Sequence, residues 1–233
     1  MSGREWLGLL VLVGCTPPDA TELARSAAAA NQILDGGQRS LGVTPGGGVI
    51  ELVAEAAVQG PDVEFTTVVH SASDGRARMD QGAGRFLGGV GRAGGWYVDA
   101  DSIRLGDLGP RLEYIRGHEL HMMALDPRSR LGNPLFVGVV PLGESLAFAV
   151  SLELPGGERF LAYFNTLDTV PVGFVVESQD PVVVVSWADW QEQGGVRLFH
   201  EAVLAQGDEE FRYHFGRVEL GQVADSLFEP PGR

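Results

Sequence analysis

One cysteine, Cys15, stands in a chain of 233 residues. A lone thiol closes no intramolecular disulfide, so if Cys15 is acylated an exported fold on this sequence is held by packing alone, and a thiol-based mechanism is excluded. Positive charge is also scarce: 17 basic against 31 acidic residues leave a net charge of -14. Such a surface repels phosphate, which argues against nucleic acid as a partner and leaves no basic patch for anionic lipid. Long apolar runs are missing. The N-terminal run, Trp6 to Val13, spans roughly 12 Å as a helix against a ~30 Å hydrocarbon core, too short to cross a membrane. No G-x-S-x-G elbow occurs, and Ser71, Ser145 and Ser186 have no histidine or carboxylate beside them in a nucleophile pattern. No period of 20 to 50 residues repeats, which excludes solenoids and propellers.

What is present begins at the N-terminus. Arg4, the apolar run and then Leu12-Val13-Gly14-Cys15 have the layout of a secretory signal ending in a bacterial lipobox. Cleavage before Cys15 makes residues 1–14 the signal peptide and exposes Cys15 for lipid attachment. Residues 15–20, with Pro17 and Pro18, form a tether, and residues 21–233 are expected to form one domain.

Along that domain the hydrophobic period changes once. Thr21 to Leu34 has apolar residues at helical spacing, with Gly36-Gly37 as the expected stop. From Val49 onward the period is two: Val49–Val58, Asp62–Ser71, Arg76–Asp80 and Gly95–Asp99 read as strands, with the glycine-rich segment 82–95 as loose hairpins. Leu108–Leu125 is the other plausible helix, or a shorter one giving way to a strand at His118. Strands return at Leu135–Val140, Leu146–Leu154, Glu158–Asn165, Gly173–Glu177, Val182–Trp187, Val196–Ala205 and Glu210–Leu220. The run Pro181–Val185, apolar on both faces, predicts a central strand covered on both sides. Roughly ten strands with tight turns and about two helices predict a mainly β (α+β) fold: a strongly curved antiparallel sheet, an open half-barrel whose concave side the helices close.

Two motifs invite chemistry. Gly89 to Gly94 fits G-x-G-x-x-G, yet the residues that follow, Gly95-Trp96-Tyr97-Val98, read as strand where a dinucleotide site needs a helix. His118-Glu119-Leu120-His121 places two histidines three apart rather than the four of a zinc-protease helix. A metal-dependent hydrolase would need a distant third ligand, with Glu113, Asp126 or His70 as candidates. No metal or other cofactor is called for by the pattern.

Trp187-Ala188-Asp189-Trp190, a turn through Gly194-Gly195-Val196, and Leu198-Phe199-His200 resemble the strand-turn-strand of the lipoprotein-carrier superfamily that includes LolA, LolB and the LppX type. Phe199 stands where a proline is usual. The ending, Phe211–Val218 and then Phe228-Glu229-Pro230-Pro231, is similar to that superfamily's last strand and closing tail, and Asp74–Asp80 with Gly95-Trp96 to its early strands. The resemblance implies a half-barrel with an apolar cavity that takes acyl chains or other lipids. Alternation and size nominate Val53, Phe65, Val69, Phe148, Val150, Tyr163, Val175 and Trp187 as its lining.

The expected function is therefore a non-enzymatic, lipid-anchored protein of the bacterial envelope, on the periplasmic face of the outer membrane, that binds or carries an apolar ligand. The alternative is an interaction module for another envelope protein, with its cavity filled by its own side chains. Anchoring is testable at Cys15: the two or three acyl chains of a bacterial lipoprotein hold it to a membrane, where one chain binds only marginally. Cys15→Ser is expected to move the protein into the aqueous phase of a detergent partition. An unmodified Cys15 by mass spectrometry, with identical partitioning of both forms, would refute the anchor.

Overall fold

The computed structural model describes residues 20–82, 86–100, 102–154, 157–177 and 179–231. Cys15, the signal segment and most of the tether lie outside the described residues, as do Pro155 and Gly156. The chain begins with α1 (Ala20–Ser40), so Ala20 is helical rather than part of the tether. A first meander follows: β1 (Glu51–Gln59), β2 (Glu64–Ala72), β3 (Ala77–Gln81), β4 (Phe86–Gly91), β5 (Gly94–Asp99) and β6 (Ser102–Leu105). Then come α2 (Pro110–His118) and α3 (Leu120–Leu125). A second meander completes the fold: β7 (Gly132–Leu142), β8 (Ser145–Glu153), β9 (Arg159–Asn165), β10 (Pro171–Val176), β11 (Val183–Gln193), β12 (Val196–Gln206) and β13 (Glu209–Leu220).

The two meanders join where β1 pairs with β13, giving one 13-stranded antiparallel sheet, ordered β6-β5-β4-β3-β2-β1-β13-β12-β11-β10-β9-β8-β7. It is not closed: β6 and β7 are its edges. This is the mainly β open half-barrel that the alternation predicts, and its topology dictates where the helices go. The chain leaves the first meander at one edge and must enter the second at the other, and the connection from β6 to β7 runs across the concave side. α2 packs on β3 and β4, α3 lies against β12 and β13, and α1 lies along β7 and β8.

Three differences from the expected elements have physical causes. α1 passes through Gly36-Gly37 because a side chain there has no room: a Cβ on Gly37 would lie 2.9 Å from the Phe164 ring, and one on Gly36 3.0 Å from Thr169. The helix stops instead at Gly42, which takes φ +81, while the Val43 N–H reaches back to the Gln38 carbonyl at 2.8 Å. The second expected helix is two, broken at Glu119 (ψ 44). The run Pro181–Val185 enters an interior strand but is covered on one face only: Val183 and Val185 are buried, Val184 is half-buried and Val182 is 44% exposed.

The glycine-rich segment forms β4 and its hairpin to β5, which settles the G-x-G-x-x-G pattern as packing. Trp96 lies across β4, and a Cβ on Gly89 would sit 2.6 Å from the Ala77 carbonyl oxygen and 3.1 Å from the Trp96 ring. Gly91 makes room for the C-terminal tail, its virtual Cβ falling 2.6 Å from Glu229. That tail covers the convex side of the first meander. Phe228 is fully buried and accepts a 2.7 Å hydrogen bond from Trp96 Nε1, and the Arg76 guanidinium stacks over its ring and pairs with Glu51, Asp74 and Asp225. Gly89→Ala forces that contact apart. It is expected to cost about 1–3 kcal/mol as an overpacked core position, measured by urea unfolding, with a change in Trp96 fluorescence.

Candidate functional site

The inner face of the half-barrel carries a ladder of ring contacts. It starts at the first meander with Phe86 against Tyr114 (centroids 5.4 Å apart), continues through His118 (4.7 Å) to Tyr213 (6.1 Å) and reaches Phe215 (6.1 Å). From Phe215 it passes to His121 (4.5 Å), to Phe199 (3.8 Å), Trp187 (5.6 Å), Phe174 (5.7 Å) and Phe160 (4.4 Å). Strand register explains the continuity. Phe160, Ala162 and Phe164 of β9 stand opposite Val176, Phe174 and Pro171 of β10 on one side and Leu152, Val150 and Phe148 of β8 on the other, all turned to the concave side.

Of the eight expected lining residues, five lie on this face. Val150, Val69 and Trp187 are buried there; Phe65 and Phe148 are partly buried and pack against the same core. Three do not. Tyr163 and Val175 alternate with Ala162 and Phe174 and therefore point to the convex side. Val53 packs under the C-terminal tail with Ala72, Val223 and Phe228. The cause is shared: β1, β9 and β10 are apolar on both faces, so alternation fixes the two sets but not which set is inside. Phe160, Phe174 and Phe215, which alternation also places inside, complete the ladder together with Phe199, which shares the inner face with Ala202 although it is three residues away and so out of phase with it.

The middle of the trough is filled. All six residues of α3 are buried, and Leu120, Met122, Met123 and Leu125 join the main core. His121 is 2% exposed, its ring stacked 7° from parallel on Phe199 and edge-on to Phe215. Its Nε2–H donates to the Phe199 carbonyl at 2.9 Å, which leaves Nδ1 as an acceptor with no donor. On the far side of the stack, the Trp187 Nε1–H has no acceptor. The crossover is fastened by Glu119, whose side chain has 0% exposure and pairs with Arg116 and, at 2.7 Å, with Arg130. Arg130 also donates to the Ala72 carbonyl and Arg116 to the Gly75 carbonyl, which ties the helix break to the β2–β3 turn.

These contacts engage His118 and His121 separately. The two sit on different helices; His118 Nδ1 bonds the Tyr114 carbonyl within α2, and Glu119 is taken by its arginines. Among the described residues no group of three or more His, Cys, Asp and Glu gathers as a metal site. A cleft of about 680 Å3 does open on the convex side, where β12 parts from β13. Its walls include Glu55, Asp189, His200, Glu201, His214 and Arg217, so ionisable side chains gather there on the face opposite the trough.

With this geometry in view, the comparisons with known proteins concern the fold. No family model matches the chain, and none of the curated proteins does. Solved structures match along most of it. A LolA superfamily protein from Nitrosomonas europaea superposes with a TM-score of 0.62 at 11% identity, covering 86% of this chain and 97% of that one. A putative outer membrane lipoprotein-sorting protein domain from Vibrio parahaemolyticus gives 0.56 at 6% identity, over 88% and 97%. A DUF1329 family protein from Desulfovibrio piger gives 0.57 at 9%, over 89% and 97%. The chain is an open antiparallel half-barrel with helices on its concave side. Its fold is LolA-like, as the resemblance of the Trp187–His200 hairpin and the C-terminal tail implies.

Burial sets the pH behaviour of the trough. It pushes His121 down from 6.5 to about 3, with the Phe199 carbonyl opposing and His200 adding to the drop. Above about pH 6.5 both folded and unfolded chains carry it neutral. Between there and about pH 3 only the unfolded chain takes up the proton, so stability is lost as pH falls through that window, at up to about 1.4 kcal/mol per pH unit. His121→Gln is expected to flatten that part of the stability profile in urea unfolding at stepped pH. A variant profile parallel to the wild type would contradict it.

Proposed function

We propose that this protein binds an apolar ligand, an acyl chain or the lipid of a lipoprotein, along the concave trough, and that it works from the bacterial envelope, tethered through Cys15, on the periplasmic face of the outer membrane. The rings that the sheet itself contributes, Tyr213, Phe215, Phe199, Trp187, Phe174 and Phe160, carry this reading. They form a continuous wall from β13 to β9, and α2 and α3 lie over it through His118 and His121. The mechanism is burial, worth about 0.8 kcal/mol for each methylene removed from water, with no covalent chemistry. α3 occupies the ligand's place in the closed form, and binding displaces it. The fold agrees with this reading, and the lipobox supports the location.

A second reading rests on α3 itself. A trough filled by its own chain suits an interaction module whose sheet docks another envelope protein. The two are separated by uptake of an uncharged pyrenyl-alkane, followed by fluorescence and native mass spectrometry. A carrier takes up the probe in a defined stoichiometry. Glu119→Gln, which weakens the fastening of α3, is expected to tighten uptake about ten-fold, because less of the population is held closed. No uptake by either protein, with both folded, sinks the carrier and leaves the docking module.

A further inference from the structure

We infer that the trough selects an uncharged lipid carrying a hydroxyl, such as a long-chain or polycyclic alcohol, over an anionic fatty acid. The inference rests on the carrier reading and adds the chemistry of the head group. α3 shows what its seat accepts: Leu120, Met122, Met123 and Leu125 supply apolar bulk, and the single polar group among them is His121, a neutral ring with one N–H aimed at the Phe199 carbonyl. When a ligand takes that place, the Phe199 carbonyl needs a donor. A second polar atom waits on the same wall. Trp187 is 7% exposed, and its indole stacks on Phe199 at 5.6 Å with Nε1–H unpartnered, so it needs an acceptor. A buried polar group without a partner is costly, and these two ask for opposite halves of a hydrogen bond. A hydroxyl supplies both halves; a carboxylate only accepts.

Charge points the same way. Three arginines of the crossover already face carboxylates, Arg116 and Arg130 at Glu119 and Arg128 at Asp35, and the fourth, Arg111, lies over the Tyr97 ring at the first meander. Burying an anionic head beside Phe199 and Trp187 would leave its charge without a counter-ion, a cost that a neutral head avoids.

The test displaces the pyrenyl-alkane from the full chain with four competitors of equal chain length: hexadecane, hexadecanol, its methyl ether and hexadecanoate at neutral pH. Hexadecanol is expected to compete about ten-fold better than hexadecanoate and several-fold better than the ether, which lacks the donor. Trp187→Phe keeps the ring and removes the N–H, and is expected to shrink the advantage of hexadecanol over hexadecane about three-fold. Hexadecanoate competing as well as hexadecanol, or no difference between alcohol and ether, overturns the inference while the carrier stands. Failure of the probe itself to bind removes the carrier and this inference together. Should Trp187→Phe misfold, the wild-type competitor series decides alone.

Discussion

The carboxylate of Glu119, with no side-chain surface left to water, sits between Arg116 and Arg130 at the point where the chain crosses the cup. That crossing is forced by topology, since the two meanders end at opposite edges of one open sheet. Without a fixed point, a connection of this length would slide over an apolar surface that discriminates poorly between registers. Two charge-assisted pairs and two backbone carbonyls supply the fixed point. They break the helix at one residue and turn α3 inward against β12 and β13. A buried ion triad of this kind contributes little net stability over apolar packing; its value is in placement. Arginine suits this role because each guanidinium reaches a carboxylate and a carbonyl at once, and all 17 basic residues of the chain are arginine.

A second constraint acts on the other face. A sheet this wide cannot leave both sides of its first meander open, because Trp96 and Arg76 would then stand in water on the convex side. The C-terminal tail closes that side through Phe228, and Gly89 and Gly91 are small so that Trp96 and the tail fit. A phosphate-binding pattern and a packing solution thus share one string of glycines. The context that separates them is the strand on both sides, β4 and β5, where a cofactor loop needs a helix.

This division of labour also explains what was legible in the sequence. Strands with one polar face, such as the first part of β13 with Arg212 and His214 turned outward, declare their register, and the mainly β half-barrel follows from them. Segments whose order comes from tertiary contact do not. Gly36-Gly37 reads as a helix end until Phe164 and Thr169 are seen to press on it. The break at Glu119 is invisible without Arg130, eleven residues on and paired across the bend. Tyr163 and Val175 read as inside because their strands are apolar on both faces, and the choice between faces is made by α1 and α3 on the other side. The trough residues that were missed, Phe160, Phe174, Phe199 and Phe215, lie on strands already recognised; alternation was a signal for Phe215 beside His214, but not for Phe199, which is out of phase with inward-facing Ala202 where Asp189 on the paired strand takes φ 53.

A filled trough and a carrier are compatible on energetic grounds. α3 has six residues, too few to hold a helix by itself, so its seat is held chiefly by burial. Four large apolar side chains at about 1.5–3 kcal/mol each come to roughly 6–12 kcal/mol, the same size as a dozen methylenes at about 0.8 kcal/mol each. Chain and ligand therefore compete on nearly equal terms for the same wall of rings, and small local terms decide the occupant. Glu119 and its arginines favour the closed arrangement. The unmet valences of His121 Nδ1 and Trp187 Nε1 oppose it, since they are a cost that the closed cup carries and a suitable ligand removes at the indole. A protein with those groups satisfied in the closed form would hold its plug too firmly to exchange it; leaving them unsatisfied keeps the balance near even.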